Sequence, residues 1–315
     1  MSLSALPATY GALLLGSLIA SALSGAVVIH TILYFRVYPS DPPRFKALVI
    51  LIWVLDTCHT SFIWSALWAF FVNFYGQIDK IDYVPQTLAL SILATATLTF
   101  CVHCFFALRL FRLSGGNWML TAPVVILALL RLGTAAASTA ELLILHSLSE
   151  FVDRDGWIFT LGLSSSSAVD VIITASLVFY LWKSGRGSLG RTSVVIDTLI
   201  KYTFETASLT SASTIICMIC WVTMPSNLIF MGLHFFIGKL YALSLLVTLN
   251  IKSEIRGKFR SRELFPSITQ GPSSGDRRIT QAFVMSTSKS EIVNPKGTMT
   301  EFEVNIERSI QYSKD

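Results

Sequence analysis

Asp56, Asp170 and Lys239 each interrupt a long apolar run of the sequence. At 1.5 Å per helical residue, Asp56 lies about 15 Å from the basic flank at Lys46, and Asp170 roughly 20 Å from both Trp157 and Lys183. Lys239 lies about 20 Å from Pro225 on the same scale. A charge so deep in a membrane is costly, faces the interior of a helix bundle, and either pairs, binds a ligand or relays protons. His59 shares a helical face with Asp56, and Ser166, Ser167 and Thr174 flank Asp170 at spacings of three and four. Asp56, His59, Asp170 and Lys239 are therefore the candidate ligand-binding or polar-core residues, grouped in a pocket among the second, fifth and seventh apolar segments. Lys239 is expected to pair with Asp56 or Asp170. A buried salt bridge with Ser and Thr as interhelical glue would satisfy the same pattern.

Other polar groups share this depth: Arg131, Glu141, Lys201, Glu205, His103 and His234. Lys201 and Glu205, four apart near one helix end, are placed to neutralise one another. Two C-x-x-C pairs, Cys101/Cys104 and Cys217/Cys220, raise zinc chemistry. Helix rise puts Cys101 about 24 Å below Pro85 and Cys217 about 24 Å above Lys201, in opposite halves of the membrane. A zinc ion needs its thiolates within about 2.3 Å, so buried free thiols and no metal are expected. The sequence has no Walker A loop, Rossmann glycine pattern, H-E-x-x-H or G-x-S-x-G. No catalytic residue, enzymatic activity or cofactor is expected.

The elements that must hold these residues follow from composition. Of 315 residues, 53% are hydrophobic and 14% charged, with a mean hydropathy of +0.62. Soluble proteins carry about 25% charge, so an ordinary cytosolic enzyme is excluded, and five cysteines are too few for a disulfide scaffold. Runs long enough to cross a hydrocarbon core of about 30 Å cover 11–34, 47–71, 87–110, 118–145, 157–181, 202–224 and 227–249. The expected fold is an all-α integral membrane protein, a seven-transmembrane-helix bundle. The first run lacks a basic leader and is read as an uncleaved anchor. Turn and charge signals separate the runs, among them Asp153-Arg154-Asp155-Gly156 and Ser184-Gly185-Arg186-Gly187. Pro225 makes the last join tight enough to require a hairpin.

Basic flanks stay on the cytoplasmic side. Arg36, Arg44, Lys46, Arg109, Arg112, Lys183, Arg186 and Arg191 occupy the odd loops, and Lys252, Arg256, Lys258, Arg260 and Arg262 open the tail. The even loops hold only Lys80 and Arg154. The N-terminus is expected outside and the C-terminus in the cytoplasm. The net charge of +5 thus belongs to one membrane face, and no nucleic-acid partner is expected. Two domains follow: a seven-helix domain over 1–250 and a cytoplasmic tail over 251–315, largely disordered because it is rich in Ser, Thr, Pro and charge.

Several strings carry a resemblance: Tyr34-Phe35-Arg36-Val37-Tyr38-Pro39-Ser40-Asp41, Trp53-Val54-Leu55-Asp56-Thr57-Cys58-His59 and Phe105-Phe106-Ala107-Leu108-Arg109-Leu110, followed by Leu199-Ile200-Lys201-Tyr202-Thr203-Phe204-Glu205-Thr206 and the run from Gly238-Lys239-Leu240-Tyr241 to Asn250. Together they resemble a family of basidiomycete fungal seven-transmembrane proteins carrying a domain of unknown function. His30 stands where that family tends to have Gln. The resemblance implies topology and no catalytic residue. The expected function is a receptor-like or sensor-like multi-pass protein of the plasma membrane or an endomembrane. Its partners would be the lipid bilayer, cytoplasmic proteins reached through basic loops and tail, and a small-molecule ligand. The alternative is a transporter or channel using Asp56, Asp170 and Lys239.

Overall fold

The computed structural model describes residues 10–264, apart from 78–79, 81, 187–190 and 225–226; for 184–186, 191–201, 203, 206 and 252–264 it describes the backbone alone. The chain divides into a unit over Met1–Pro266 and a second over Ser267–Asp315. The second unit, and with it most of the expected tail, lies outside the described residues, as do Pro225 and the side chain of Lys201.

The described residues form seven α-helices: α1 (Ala12–Val37), α2 (Pro43–Trp68), α3 (Gln86–Leu113), α4 (Trp118–Leu145), α5 (Leu148–Arg186), α6 (Arg191–Thr223) and α7 (Ile229–Leu264), with a π-helical turn at Ala69–Asn73 extending α2. There is no strand among them, only an isolated bridge between Tyr83 and Ser147. Local chemistry sets the ends. Pro43 opens α2, where a missing N–H costs nothing. Asn117 caps α4, its side chain accepting from the Met119 N–H at 3.0 Å. Gly115 and Gly116, at φ of 71° and 89°, supply the left-handed turn that stops α3.

Six of these helices are long and apolar enough to cross a membrane, and α6 contributes a shorter apolar stretch, Ala207–Thr223. The chain is a multi-pass membrane protein. Large apolar side chains such as Leu15, Ile29, Ile126, Ile144 and Ile219 are more than half exposed, which only a lipid environment accommodates on this scale. Exposed Trp157 and Trp182 stand about 37 Å apart along α5 by helix rise, as aromatic anchors at two interfaces would.

Two helices run further than the loop signals predict. α5 begins at Leu148, so Asp153, Arg154 and Asp155 are helical. Asp82 from the α2–α3 connection accepts from the Ser149 N–H at 3.0 Å and from the Ser147 and Ser149 hydroxyls, capping the helix with a carboxylate distant in sequence. α7 continues past Asn250 to Leu264, although 251–315 is expected as a disordered tail. The spacing of Glu254 and Lys258 and the basic residues in that extension favour a helical C-terminal end.

Short connections alternate the helix directions. α7 packs on α1, α2, α3 and α6, and α3 packs on α2, α4, α5 and α7; these two are the most buried of the candidate spans. α1 and α7 approach closely because both are glycine at the crossing. A Cβ built on Gly16 would lie 2.3 Å from the Gly232 carbonyl oxygen, and one on Gly232 would lie 2.4 Å from that of Ala12.

Candidate functional site: two polar clusters against the seventh helix

Lys239 reaches from α7 to α2. Its Nζ lies 2.8 Å from Asp56 Oδ1, and neither side chain has any exposure. The ammonium also donates to the Asp56 carbonyl oxygen at 2.9 Å and to Thr60 Oγ1 at 2.6 Å. The ammonium is thus ion-paired once and hydrogen-bonded twice. Asp56 Oδ2 accepts from Ser24 on α1 at 2.5 Å, so one carboxylate ties together α1, α2 and α7. An unpaired charge at this depth would cost at least about 2.5–3.5 kcal/mol; here each charge answers the other. Of the two partners expected for Lys239, the geometry selects Asp56. His59, one turn further along α2, is buried and meets Thr95 of α3 with Nε2 and Oγ1 3.0 Å apart.

Asp170 belongs to a different cluster. From α5 its Oδ1 lies 3.1 Å from His103 Nε2 on α3, and its Oδ2 accepts from the Tyr241 hydroxyl on α7. The His103 and Tyr241 rings meet edge to face, with centroids 5.4 Å apart. Ser166 Oγ is 3.2 Å from the Tyr241 oxygen, and Thr174 returns its hydroxyl to the Asp170 carbonyl at 2.6 Å. Beside them is a pocket lined by His103, Phe106, Asp170, Thr174, Thr210, Tyr241 and Ser244, among others, with about 20 Å³ open to the centre of a water molecule. One water needs about 10–15 Å³ on this measure. The single pocket expected among the second, fifth and seventh segments is therefore two sites, because Lys239 and Tyr241 leave α7 toward different neighbours.

His103 and Tyr241, with Ser24 and Thr60, are the members not singled out as site residues from the sequence. A histidine at membrane depth was a signal for His103. A tyrosine in an apolar helix is ordinary, so nothing marked Tyr241 as the donor to Asp170.

Cys217 is buried and donates to the Phe230 carbonyl oxygen at 3.3 Å, while Cys101, Cys104 and Cys220 are half-buried and free. Among the described residues no three His, Cys, Asp or Glu side chains converge on a metal-sized site.

Residues 166–254 match a family of unknown function, DUF6534. The matched stretch holds Asp170, Lys239 and Tyr241 and excludes Asp56, His59 and His103, so it contains one side of each cluster. No curated protein and no solved structure matches the chain.

Proposed function

We propose that the chain is a non-enzymatic, seven-span receptor-like or sensor-like protein, with its N-terminus outside and its basic loops and C-terminus in the cytoplasm. The observation that supports this reading is the enclosure of the Lys239–Asp56 ion pair, fully buried, with the ammonium also donating to the Asp56 carbonyl oxygen and to Thr60. A charge on a conduction path must exchange partners as its cargo passes, whereas this pair holds three helices in one arrangement. A small-molecule ligand acting on the Asp170 pocket would then change how α3, α5 and α7 meet, and cytoplasmic partners would read that change.

Transport is the second reading, and the pocket beside Asp170 favours it, because that carboxylate borders space that can hold water. Reconstituted vesicles decide between the two. The receptor reading expects no proton or ion flux above protein-free vesicles, and capture of cytoplasmic proteins by the purified chain. Flux that disappears with Asp170→Asn would replace it with transport. Orientation is tested separately: a glycosylation sequon in a lengthened 150–155 segment should be modified, and one placed beyond residue 265 should not.

A further inference from the structure

We propose that the pocket beside Asp170 binds a compact monovalent cation, the size of sodium. The inference rests on the reading of that pocket as a ligand site, and it holds whether the bundle signals or transports. Four helices meet there: His103 of α3, Asp170 and Thr174 of α5, Thr210 of α6, and Tyr241 and Ser244 of α7 line it, and the rest of the lining is apolar. A hydroxyl carries one hydrogen and two acceptor lone pairs. Thr174 gives its hydrogen to the Asp170 carbonyl oxygen, Thr210 to that of Ala207 at 3.0 Å and Ser244 to that of Tyr241 at 2.8 Å. The Tyr241 hydrogen is spent on the Asp170 carboxylate. That carboxylate only accepts, so in its 3.1 Å contact with His103 the ring hydrogen sits on Nε2. His103 Nδ1, buried and without a partner, keeps its lone pair. What the polar lining has left for an occupant is lone pairs alone.

The same lining holds a charge that no contact answers. Asp56 has the ammonium of Lys239, whereas Asp170 has an imidazole and a tyrosine hydroxyl. Arg131 is within electrostatic range of Asp170, but no ion pair joins the two. Protonating His103 instead would leave an N–H at Nδ1 with no acceptor among the described residues. Each Asp170 oxygen is engaged once, and a carboxylate offers about four lone-pair sites, so both can still meet a cation. An anion would face only lone pairs. A lone water would donate to two of the acceptors and leave the charge as it was. A divalent hard cation recruits several carboxylates and zinc takes four ligands, more than one carboxylate and one imidazole supply. The open space is about 20 Å³ to the centre of a water molecule, and one water needs about 10–15 Å³. A bare sodium ion, smaller than water, matches that space better than an organic ammonium.

The full chain, purified in neutral detergent, is unfolded by heat in sodium chloride and in N-methyl-D-glucamine chloride at equal ionic strength. Sodium should raise the midpoint saturably and the bulky organic cation should not, because a ligand that binds only the folded state stabilises it in this way. Asp170→Asn should abolish the sodium effect. Thr210→Val with Ser244→Ala should weaken apparent sodium affinity at least about threefold, the order expected for lost polar contacts. If the sodium and organic-cation curves coincide, or the sodium shift persists in Asp170→Asn, the site does not exist. If Asp170→Asn does not fold, the Thr210→Val, Ser244→Ala variant decides: unchanged sodium affinity overturns the proposal. The sodium resonance should also broaden with the unmodified protein and narrow again on adding lithium, and its failure to broaden would equally overturn the site. Coinciding curves would leave the receptor reading standing, since flux and capture decide that one without reference to sodium.

Discussion

Asp56 and Asp170 both reach α7 and both are buried, yet their surroundings differ in kind. Asp56 ion-pairs with a lysine that also donates to a backbone carbonyl and a threonine hydroxyl, in a contact between two side chains without exposure that joins three helices. Asp170 meets a histidine and a tyrosine hydroxyl, and it borders a water-sized space. The first arrangement is suited to holding a bundle together and the second to responding. Two buried acids in one membrane protein therefore need not share a role, and what separates them is the chemistry of the partner and the presence of space.

The largest effect should come from opening the sealed pair. Lys239→Met strands the Asp56 carboxylate with only the Ser24 hydroxyl, and losing one partner of a buried pair costs about 3–5 kcal/mol. Lys239→Met with Asp56→Leu should recover much of that loss, since no charge is left uncompensated. Lys239→Met combined with Asp170→Asn should show additive losses within about 0.5 kcal/mol, as separate sites do. Unfolding in detergent across both cycles would measure this. Coupling of Lys239 to Asp170 instead of Asp56 would erase the distinction between the clusters.

Gly232→Ala tests whether α7 is held in place apart from its charges. The added carbon would meet the Ala12 carbonyl oxygen at 2.4 Å, so α1 and α7 must separate, at about 1–3 kcal/mol by analogy with overpacking. Because Ser24 reaches Asp56 from α1, the separation should also loosen the sealed cluster. Gly232→Ala should then couple to Ser24→Ala and leave the Tyr241→Phe effect unchanged.

Tyr241→Phe removes one donor from Asp170 and leaves His103. Interhelical hydrogen bonds in membranes average about 0.6 kcal/mol and reach about 1.7, and a bond to a charged acceptor belongs near the upper end. A loss above about 3 kcal/mol would place Asp170 in the same class as Asp56.

Much of this architecture was legible in the chain. Apolar run lengths located the helices, because a membrane leaves no other way to satisfy the backbone. Depth alone nominated Asp56, Asp170 and Lys239. Helix rise placed all three near one level but carried no information on rotation about each axis, so it left Asp56 and Asp170 as equal candidates for Lys239. It also treated Asp153–Asp155 as a loop, because the residue that caps their helix, Asp82, is far away in sequence.

The smallest expected effect is the most discriminating of the four. Ser166 Oγ lies 3.2 Å from the Tyr241 oxygen, one bond removed from Asp170, so Ser166→Ala deletes no charge and no direct contact with the carboxylate. If the Asp170 cluster is only structural glue, the loss should be near the membrane average of about 0.6 kcal/mol, and the same with or without Tyr241→Phe in the background. If instead the three groups act as a connected chain, Ser166 orients the tyrosine hydroxyl toward Asp170, and its deletion should matter only while that hydroxyl is present. Ser166→Ala should then cost about 0.5–1 kcal/mol with tyrosine at 241 and nearly nothing in Tyr241→Phe, a coupling at the lower edge of what cycles resolve. The corresponding change on the other side, Thr60→Val, removes a direct acceptor from Lys239 and should cost more, about 1.5–3 kcal/mol for a bond to a charged group. Equal losses at Ser166 and Thr60 would mean that the two clusters are equally rigid, and the division of labour between Asp56 and Asp170 would be lost.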